Sequence, residues 1–363
     1  MFKNLFVRNK FFLPILTIPI ILSLVGLVFI FEASSVRAVA EFGESLHYFR
    51  LQAIWLVLGL TVLIFFSLFD YKRLYFFSIL SMAFTILLLM MVLIPGIGQA
   101  AGGARRWLDL GIINVQPTEL AKFSVIIYLA SWFKNPEKRR FTSFIFLIGF
   151  LTFLIILQPD MGTAIIVLLL SLVIYYLAGM NMTSLILLAP FGLGLFYLLI
   201  KASPYRLDRL MAYLNPSSDP LGIGYHINQI LISLSNGGLM GAGFGASRQK
   251  YLFLPEAHTD SIFAIIGEEY GFIGAAILLS FYFVFVYKIY HLIRMAPDKL
   301  SRLLSAGIFA FFNLQLIINL AGMTGLFPLT GVSLPFLSYG GSNLLISFSL
   351  IGILLNIEKR VKV

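Results

Sequence analysis

Apolar runs of about twenty residues recur along nearly the whole chain, and that recurrence limits the fold more than any single motif. A helix needs about 20 mostly apolar residues to cross the ~30 Å hydrocarbon core of a bilayer, where no water is present to pair an open backbone. Such runs cover Phe11 to Phe31, Leu51 to Phe69 and Leu74 to Ile94. Four shorter or more broken ones follow at Leu120 to Phe133, Phe141 to Leu157, Met161 to Ala178 and Thr183 to Ile200. The last three are Asp260 to Tyr287, Leu303 to Met323 and Leu337 to Asn356. The expectation is an all-α integral membrane protein: one domain over 1–363, a bundle of ten transmembrane helices, and a large extracytoplasmic loop, 201–259, between the seventh and eighth. With 60% hydrophobic and 12% charged residues, against roughly a quarter charged in soluble domains, a soluble enzyme is excluded.

The net charge of +10 does not imply nucleic acid, because the cations sit in short clusters between apolar runs, where they set membrane orientation. One face collects Lys3, Arg8 and Lys10, then Lys72 and Arg73, then Lys134, Lys138, Arg139 and Arg140. Lys288, Arg294, Lys299, Arg302, Lys359, Arg360 and Lys362 complete it. The opposite face has only Arg37, Arg50, Arg105 and Arg106 in its short loops. Both termini are therefore expected in the cytoplasm. The first apolar run is longer than the 7 to 15 residues of a signal peptide and reads as a retained helix. Most carboxylates fall on the outer face, so the chemistry is expected there, where no nucleotide is at hand. No phosphate-binding G-x-x-x-x-G-K-[ST] loop occurs, and the Gly241, Gly243, Gly245 series lacks the strand and helix of a dinucleotide site and reads as a flexible loop. The chain has no Cys, which removes disulfides, thiolate nucleophiles and Cys-ligated metals.

A charge inside a span costs on the order of 2.5 to 3.5 kcal/mol on insertion scales, so each is a functional candidate. Glu119 and Lys122 lie three apart, on one helical face. An internal ion pair and a substrate-binding role are equally good readings. Gln158-Pro159-Asp160 makes a tight turn in which Asp160 can cap the next helix. Glu268 and Glu269, roughly 12 Å down a helix from Asp260 at 1.5 Å per residue, should point into the bundle or a wet cavity.

The outer loop carries Ile227, Ile230, Leu231 and Leu234 at helical spacing within 225–237, the pattern of an amphipathic helix lying on the membrane surface. Beyond it, Arg248, Lys250, Glu256, His258 and Asp260 concentrate charge where the eighth span begins. Cations there suit a pyrophosphate, and carboxylates suit proton abstraction or a divalent metal. Asp260 can serve as a helix cap or, half-shielded from water, as a general base. His258 reads either as a locally satisfied histidine or, with Glu256 and Asp260, as a metal ligand. The stretch Gly325 to Leu345, with Pro328, Pro335, Gly340, Gly341 and Ser342, reads as a re-entrant wall, since irregular backbone at membrane depth is tolerated only where protein or a cavity surrounds it.

Gly103 to Trp107, Gln116-Pro117-Thr118-Glu119-Leu120-Ala121-Lys122, Gln158-Pro159-Asp160, Leu254 to Asp260 with Gly267-Glu268-Glu269, and Leu334 to Ser342 together resemble the SEDS family of shape, elongation, division and sporulation proteins. The resemblance covers essentially the whole chain, and Ala257 with Ala33-Ser34-Ser35 is similar to its FtsW-type members. Ser261 departs from the Phe common in the family at that position. The resemblance implies a peptidoglycan glycosyltransferase of the bacterial cytoplasmic membrane. Its substrate would be lipid II, a disaccharide-pentapeptide on undecaprenyl pyrophosphate. It also implies Asp260 as the catalytic acid, with Arg105, Glu119, Lys122, Asp160, Lys250, His258, Glu268 and Ser342 as candidate substrate contacts. A divalent cation, Mg or Mn, held by Glu256, His258 and Asp260, is a further candidate. Expected partners are a class B penicillin-binding transpeptidase and other division proteins. A lipid II transporter is the rival of another class, and a scaffold for cell-wall enzymes is a third reading.

Overall fold

A computed structural model describes residues 10–361, apart from 102–103, 110, 112–113, 136–139, 202, 216–220 and 223. Lys3, Arg8, Gly103, Lys138, Arg139 and Lys362 lie outside the described residues. The apolar runs all become helix: α1 (Leu13–Phe42), α2 (His47–Leu68), α3 (Leu74–Leu93), α4 (Pro117–Trp132), α5 (Phe141–Leu157), α6 (Met161–Leu177) and α7 (Thr183–Lys201). Two helices occupy the long loop, α8 (Pro204–Leu214) and α9 (Tyr225–Gly237), before α10 (Ile262–Met295), α11 (Lys299–Met323) and α12 (Gly341–Glu358). By length and composition six of them can cross a membrane: α1, α2, α3 with the turn before it, α10, α11 and α12. Of the helices that fill the other expected spans, α5 and α6 are apolar but only 17 residues long, α4 is 16 residues long and carries Glu119 and Lys122, and α7 is an apolar helix of 19 residues.

The two ends of the bundle are built differently. At one end lie the start of α1 and the ends of α2, α10 and α12. There Asn356 and Lys359 donate to the Ser67 carbonyl at 3.0 and 2.9 Å, Arg360 pairs with Asp70 at 2.7 Å, and Tyr71 donates to Asp298. At the other end the connections are long, and the candidate residues gather there.

Three features differ from the expected architecture. The segment between α3 and α4 is a small antiparallel sheet, β1 (Gly98–Ala101), β2 (Ala104–Asp109) and β3 (Asn114–Val115), in the order β1-β2-β3. Its strands are too short and too mixed in polarity to show as alternation. Next, α9 forms over the expected residues, but its apolar stripe turns inward. Ile227 and Ile230 are buried and Leu234 partly so, and a Cβ on Gly237 would meet the Gly267 carbonyl oxygen at 1.9 Å. Ile227, Ile230 and Leu234 thus pack inward, on the side of α10, while Leu231 stays 40% exposed.

The third difference concerns Gly241, Gly243 and Gly245, which do not make a flexible loop. Here α10 breaks at Gly271 (φ +64°), and the Gly238–Gly243 backbone is spliced into the break. Ala242 and Gly243 amides donate to the Glu268 and Glu269 carbonyls at 2.9 and 3.0 Å, while Phe272 and Ile273 amides donate to Gly238 and Leu239 carbonyls at 2.9 and 3.1 Å. Four backbone groups of α10 at the kink are thereby satisfied, as buried backbone requires.

Candidate functional site

The stretch after α11 plunges back into the bundle, as its prolines and glycines predict. Phe336 is buried with φ +66° and its ring lies 5.3 Å from Phe312, 5.7 Å from Phe348 and 5.8 Å from Phe285, midway along the helices. Tyr282 donates to the Pro335 carbonyl. Gln52 spans this segment from α2, donating to the Ser338 carbonyl at 3.4 Å and accepting from the Gly340 amide at 3.2 Å. Asn319 of α11 holds it to the neighbouring turn, donating to the carbonyls of Val332 (2.8 Å) and Asp260 (2.9 Å). The re-entrant wall and the Asp260 turn are thus fixed to one another by this buried amide and by the Tyr339 amide, which donates to the His258 carbonyl at 2.9 Å.

Asp260 sits in the turn before α10, 9% exposed. Thr259 donates to its Oδ1 at 3.1 Å, and a Cβ on Gly331 would lie 3.7 Å from Oδ2. No cation is paired with it among the described residues. Burial pushes the carboxyl above the usual carboxylate range; His226 opposes the push and Glu256 adds to it. A carboxylate so placed gains from taking up a proton, the property a general base needs. The cap expected of Asp260 does not form: Ser261 is the N-cap, without a side-chain hydrogen bond. His226 of α9 meets the Ser261 hydroxyl at 2.8 Å, and burial lowers its imidazole, against the pull of Asp260.

His226 also lines a cavity of about 100 Å³ with Arg209, Tyr213 and Phe327. Beside it lies a larger one of about 360 Å³ that shares Arg209, Tyr213 and Phe327 and adds Arg206, Met161, Ile165 and Thr330. The larger volume lies in the range of ligand pockets, with apolar walls and a few convergent polar groups. Arg209 donates to the Leu329 carbonyl at 2.9 Å and Arg206 to the Ile156 carbonyl at 3.0 Å, which ties α8 to the rest of the wall.

The candidates fall into three groups. Asp160 caps α6 through the Thr163 amide (3.1 Å) and accepts from Thr118 (3.4 Å) and Gln116 (3.5 Å); the Gln116 amide in turn donates to Ser342 at 3.1 Å. Arg106 donates to the Gln158 carbonyl at 3.0 Å and to that of Pro159, whereas Arg105 on the same strand is exposed. Glu119 and Lys122 form a buried pair at 2.6 Å, with the Lys122 ammonium 5.5 Å from the Phe311 ring centroid and Glu119 Oε2 lacking a partner.

The second group is a network. Lys250 binds Glu32 at 2.8 Å, the Gly245 carbonyl at 2.7 Å and Glu269 at 3.5 Å. Glu268 accepts from Ser247 at 2.5 Å and from Ser233 and Asn236 at 3.4 Å. The third group does not converge. Glu256, exposed with φ +50°, turns to Arg37 at 3.5 Å. His258 is buried against the rings of Tyr48 (4.4 Å) and Tyr339 (5.5 Å), where burial brings its imidazole down to about 4, and its Nδ1 lacks a partner. Residues at alternating positions of a tight turn point apart. Among the described residues no three carboxylate or imidazole groups could hold a metal, so Glu256, His258 and Asp260 do not fit the divalent site expected of them.

His226, Arg206, Arg209 and Asn319 were not singled out as site residues by sequence. An asparagine amid the apolar run of α11 is a signal of the same kind as Glu119; the two arginines of α8 are ordinary loop cations until the fold places them.

The family profile described as cell cycle protein, covering FtsW, RodA and SpoVE, matches residues 13–363. The stage V sporulation protein E of Bacillus subtilis is 37% identical over 354 residues, 96% of each chain. A probable peptidoglycan glycosyltransferase FtsW of Geobacter metallireducens is 36% identical over 365 residues, 99% of this chain and 97% of that one. In a solved peptidoglycan synthase complex that coordinates polymerisation and crosslinking, one chain superimposes with a TM-score of 0.77 at 26% identity, covering 95% of this chain and 96% of that one. With motifs, full-length profile and fold in agreement, the chain belongs to the FtsW/RodA/SpoVE family, the SEDS proteins.

Proposed function

We propose that this chain is a peptidoglycan glycosyltransferase that polymerises lipid II at the outer face of the bacterial cytoplasmic membrane. The observation that carries the reading is Asp260: a buried carboxylate with no paired cation among the described residues, on a fixed turn beside cavities lined by Arg206, Arg209 and His226. In this reading the acceptor sugar's 4-hydroxyl loses its proton to the Asp260 carboxylate as its oxygen attacks the donor's anomeric carbon. The bond from that carbon to the pyrophosphate oxygen breaks with inversion, and undecaprenyl pyrophosphate leaves. Arg206 and Arg209 stabilise the charge that develops on it, as preorganised cations do for phosphoryl oxygens. The apolar side of the larger cavity takes the start of the prenyl chain.

Glu119, Lys122, Asp160, Ser342 and the exposed Arg105 are further substrate contacts in this reading. Lys250 and Glu268 act through the network that holds the loop, and His258 through its contacts with the Tyr rings. The apolar runs give ten spans and the positive clusters put both termini in the cytoplasm in this reading, a topology with Asp260 outside. A class B penicillin-binding transpeptidase is the partner, and the FtsW-like Ala257 favours septal synthesis over elongation. The test is polymerisation of lipid II by the purified chain. Product from wild type and none from Asp260→Asn supports a polymerase, whereas lipid II translocation without polymer from both proteins supports the transporter.

A further inference from the structure

We propose that the two turns following α9, Leu239–Phe244 and Tyr251–Phe253, form an anchor seated in the outer leaflet of the bilayer. This inference rests on the membrane-spanning reading of the chain but not on its catalytic activity. Leu239 is 70% and Met240 80% exposed, and Phe244, Tyr251, Leu252 and Phe253 are each more than half exposed. Large side chains this open to water, grouped on one loop, mark an interaction surface. The two turns are neighbours, because Lys250, which begins the second, donates to the Gly245 carbonyl at the end of the first.

Their depth follows from two helices independently. The splice fixes Leu239 beside Ile273, just past the break in α10. From Phe272 to Met295 at 1.5 Å per residue is roughly 36 Å, a little more than the ~30 Å hydrocarbon core. Lys250 is bound to Glu32, and from Leu13 to Glu32 of α1 is roughly 30 Å by the same rise. Both distances put the turns at the outer boundary of the hydrocarbon, where Tyr, Phe and Leu side chains enter the headgroup region. Below them Phe272, Ile273 and Ile277 continue the apolar surface down α10, and exposed Arg248 supplies a cation at phosphate level. The occupant that fits is phospholipid, with the acyl chains against Leu239, Met240 and Leu252. With Ile227 and Ile230 of α9 turned toward α10, these turns hold the height of the loop that carries His226 and Asp260.

The chain has no Cys, so single cysteines report cleanly. Met240→Cys, Leu252→Cys and, as an exposed polar control on α9 outside the two turns, Ser235→Cys would be labelled with bimane in the full chain in phosphatidylglycerol nanodiscs. The expected result is that a nitroxide on the upper acyl chain quenches positions 240 and 252 several-fold more than aqueous iodide does, with the order reversed at 235. Equal iodide quenching at all three positions would overturn the anchor. So would labels at 240 and 252 shielded from both quenchers, which would mean that protein covers the patch. A labelled variant that is lipid-quenched yet makes no polymer would count against the catalytic reading and leave the anchor standing.

Discussion

Two acidic clusters lie within ten residues of one another and have opposite surroundings. Glu268 and Glu269, on the first turns of α10, are held by Ser233, Asn236, Ser247 and Lys250, with Glu32 closing the network from α1. Asp260, on the turn before the same helix, accepts from the Thr259 hydroxyl and pairs with no cation among the described residues. Both are buried. A buried charge that is paired holds elements together, because removing its partner strands it. One left unpaired beside a cavity is costly in the resting protein and is relieved by a proton. The first cluster fixes the loop's backbone; the second is where chemistry can occur.

The comparison can be broken in several places. The largest effect is expected at the splice. Gly237→Ala puts a Cβ at 1.9 Å from a backbone oxygen that cannot retreat, so membrane-inserted protein should fall sharply on fluorescence size-exclusion. Normal yield would mean that α9 and α10 are not in close contact. Lys250→Met leaves Glu32 and Glu269 without their cation and should cost about 3–5 kcal/mol, read as a large drop in melting temperature. Unchanged melting would show that the network is not structural.

A smaller, pH-dependent effect belongs to His258. Its folded imidazole titrates near 4, below the unfolded value of about 6.5. Between those values the unfolded chain binds the proton and the folded one does not. Stability is therefore complete above the upper value and falls as pH drops, by at most about 1.4 kcal/mol per pH unit. Melting scans from pH 7 to 4 should show this slope in wild type and a shallower one in His258→Phe; parallel slopes would move the effect elsewhere. The smallest effect is at Ser261, where Ala removes only the hydroxyl that meets His226. Polymerisation should fall a few-fold without loss of stability, and a fall as large as that from Asp260→Asn would place Ser261 in the chemistry itself.

How much was legible in the sequence follows the same division. The spanning helices are long apolar runs, and Gln158-Pro159-Asp160 caps α6 as a local turn should. The re-entrant wall announced itself through Pro335, Gly340 and Gly341. What failed to show depends on residues far apart in the chain. Lys250 finds Glu32, whose position in α1 no spacing rule connects to it. Glycines that suggest looseness mark instead fixed backbone: at Gly241 a Cβ would meet the Glu269 carbonyl oxygen at 2.2 Å, and Gly243 holds a positive φ of +102° while its amide donates to Glu269. The apolar stripe of α9 was read in the right register, but periodicity cannot say whether lipid or another helix meets it. Glu256, His258 and Asp260 share one heptapeptide, yet their directions are set by Arg37, Tyr48 and Asn319 on three other helices.

The central claim is that the unpaired carboxylate of Asp260 takes the proton of the attacking hydroxyl. The most direct measurement is the lipid II polymerisation rate of purified wild type against Asp260→Asn, alongside their melting temperatures, across pH 5 to 8. The account predicts a loss of at least 10²- to 10⁴-fold with melting unchanged or raised. It also predicts a wild-type rate that climbs with pH through an ionisation above the ordinary aspartate range. A variant that polymerises at the wild-type rate would contradict it.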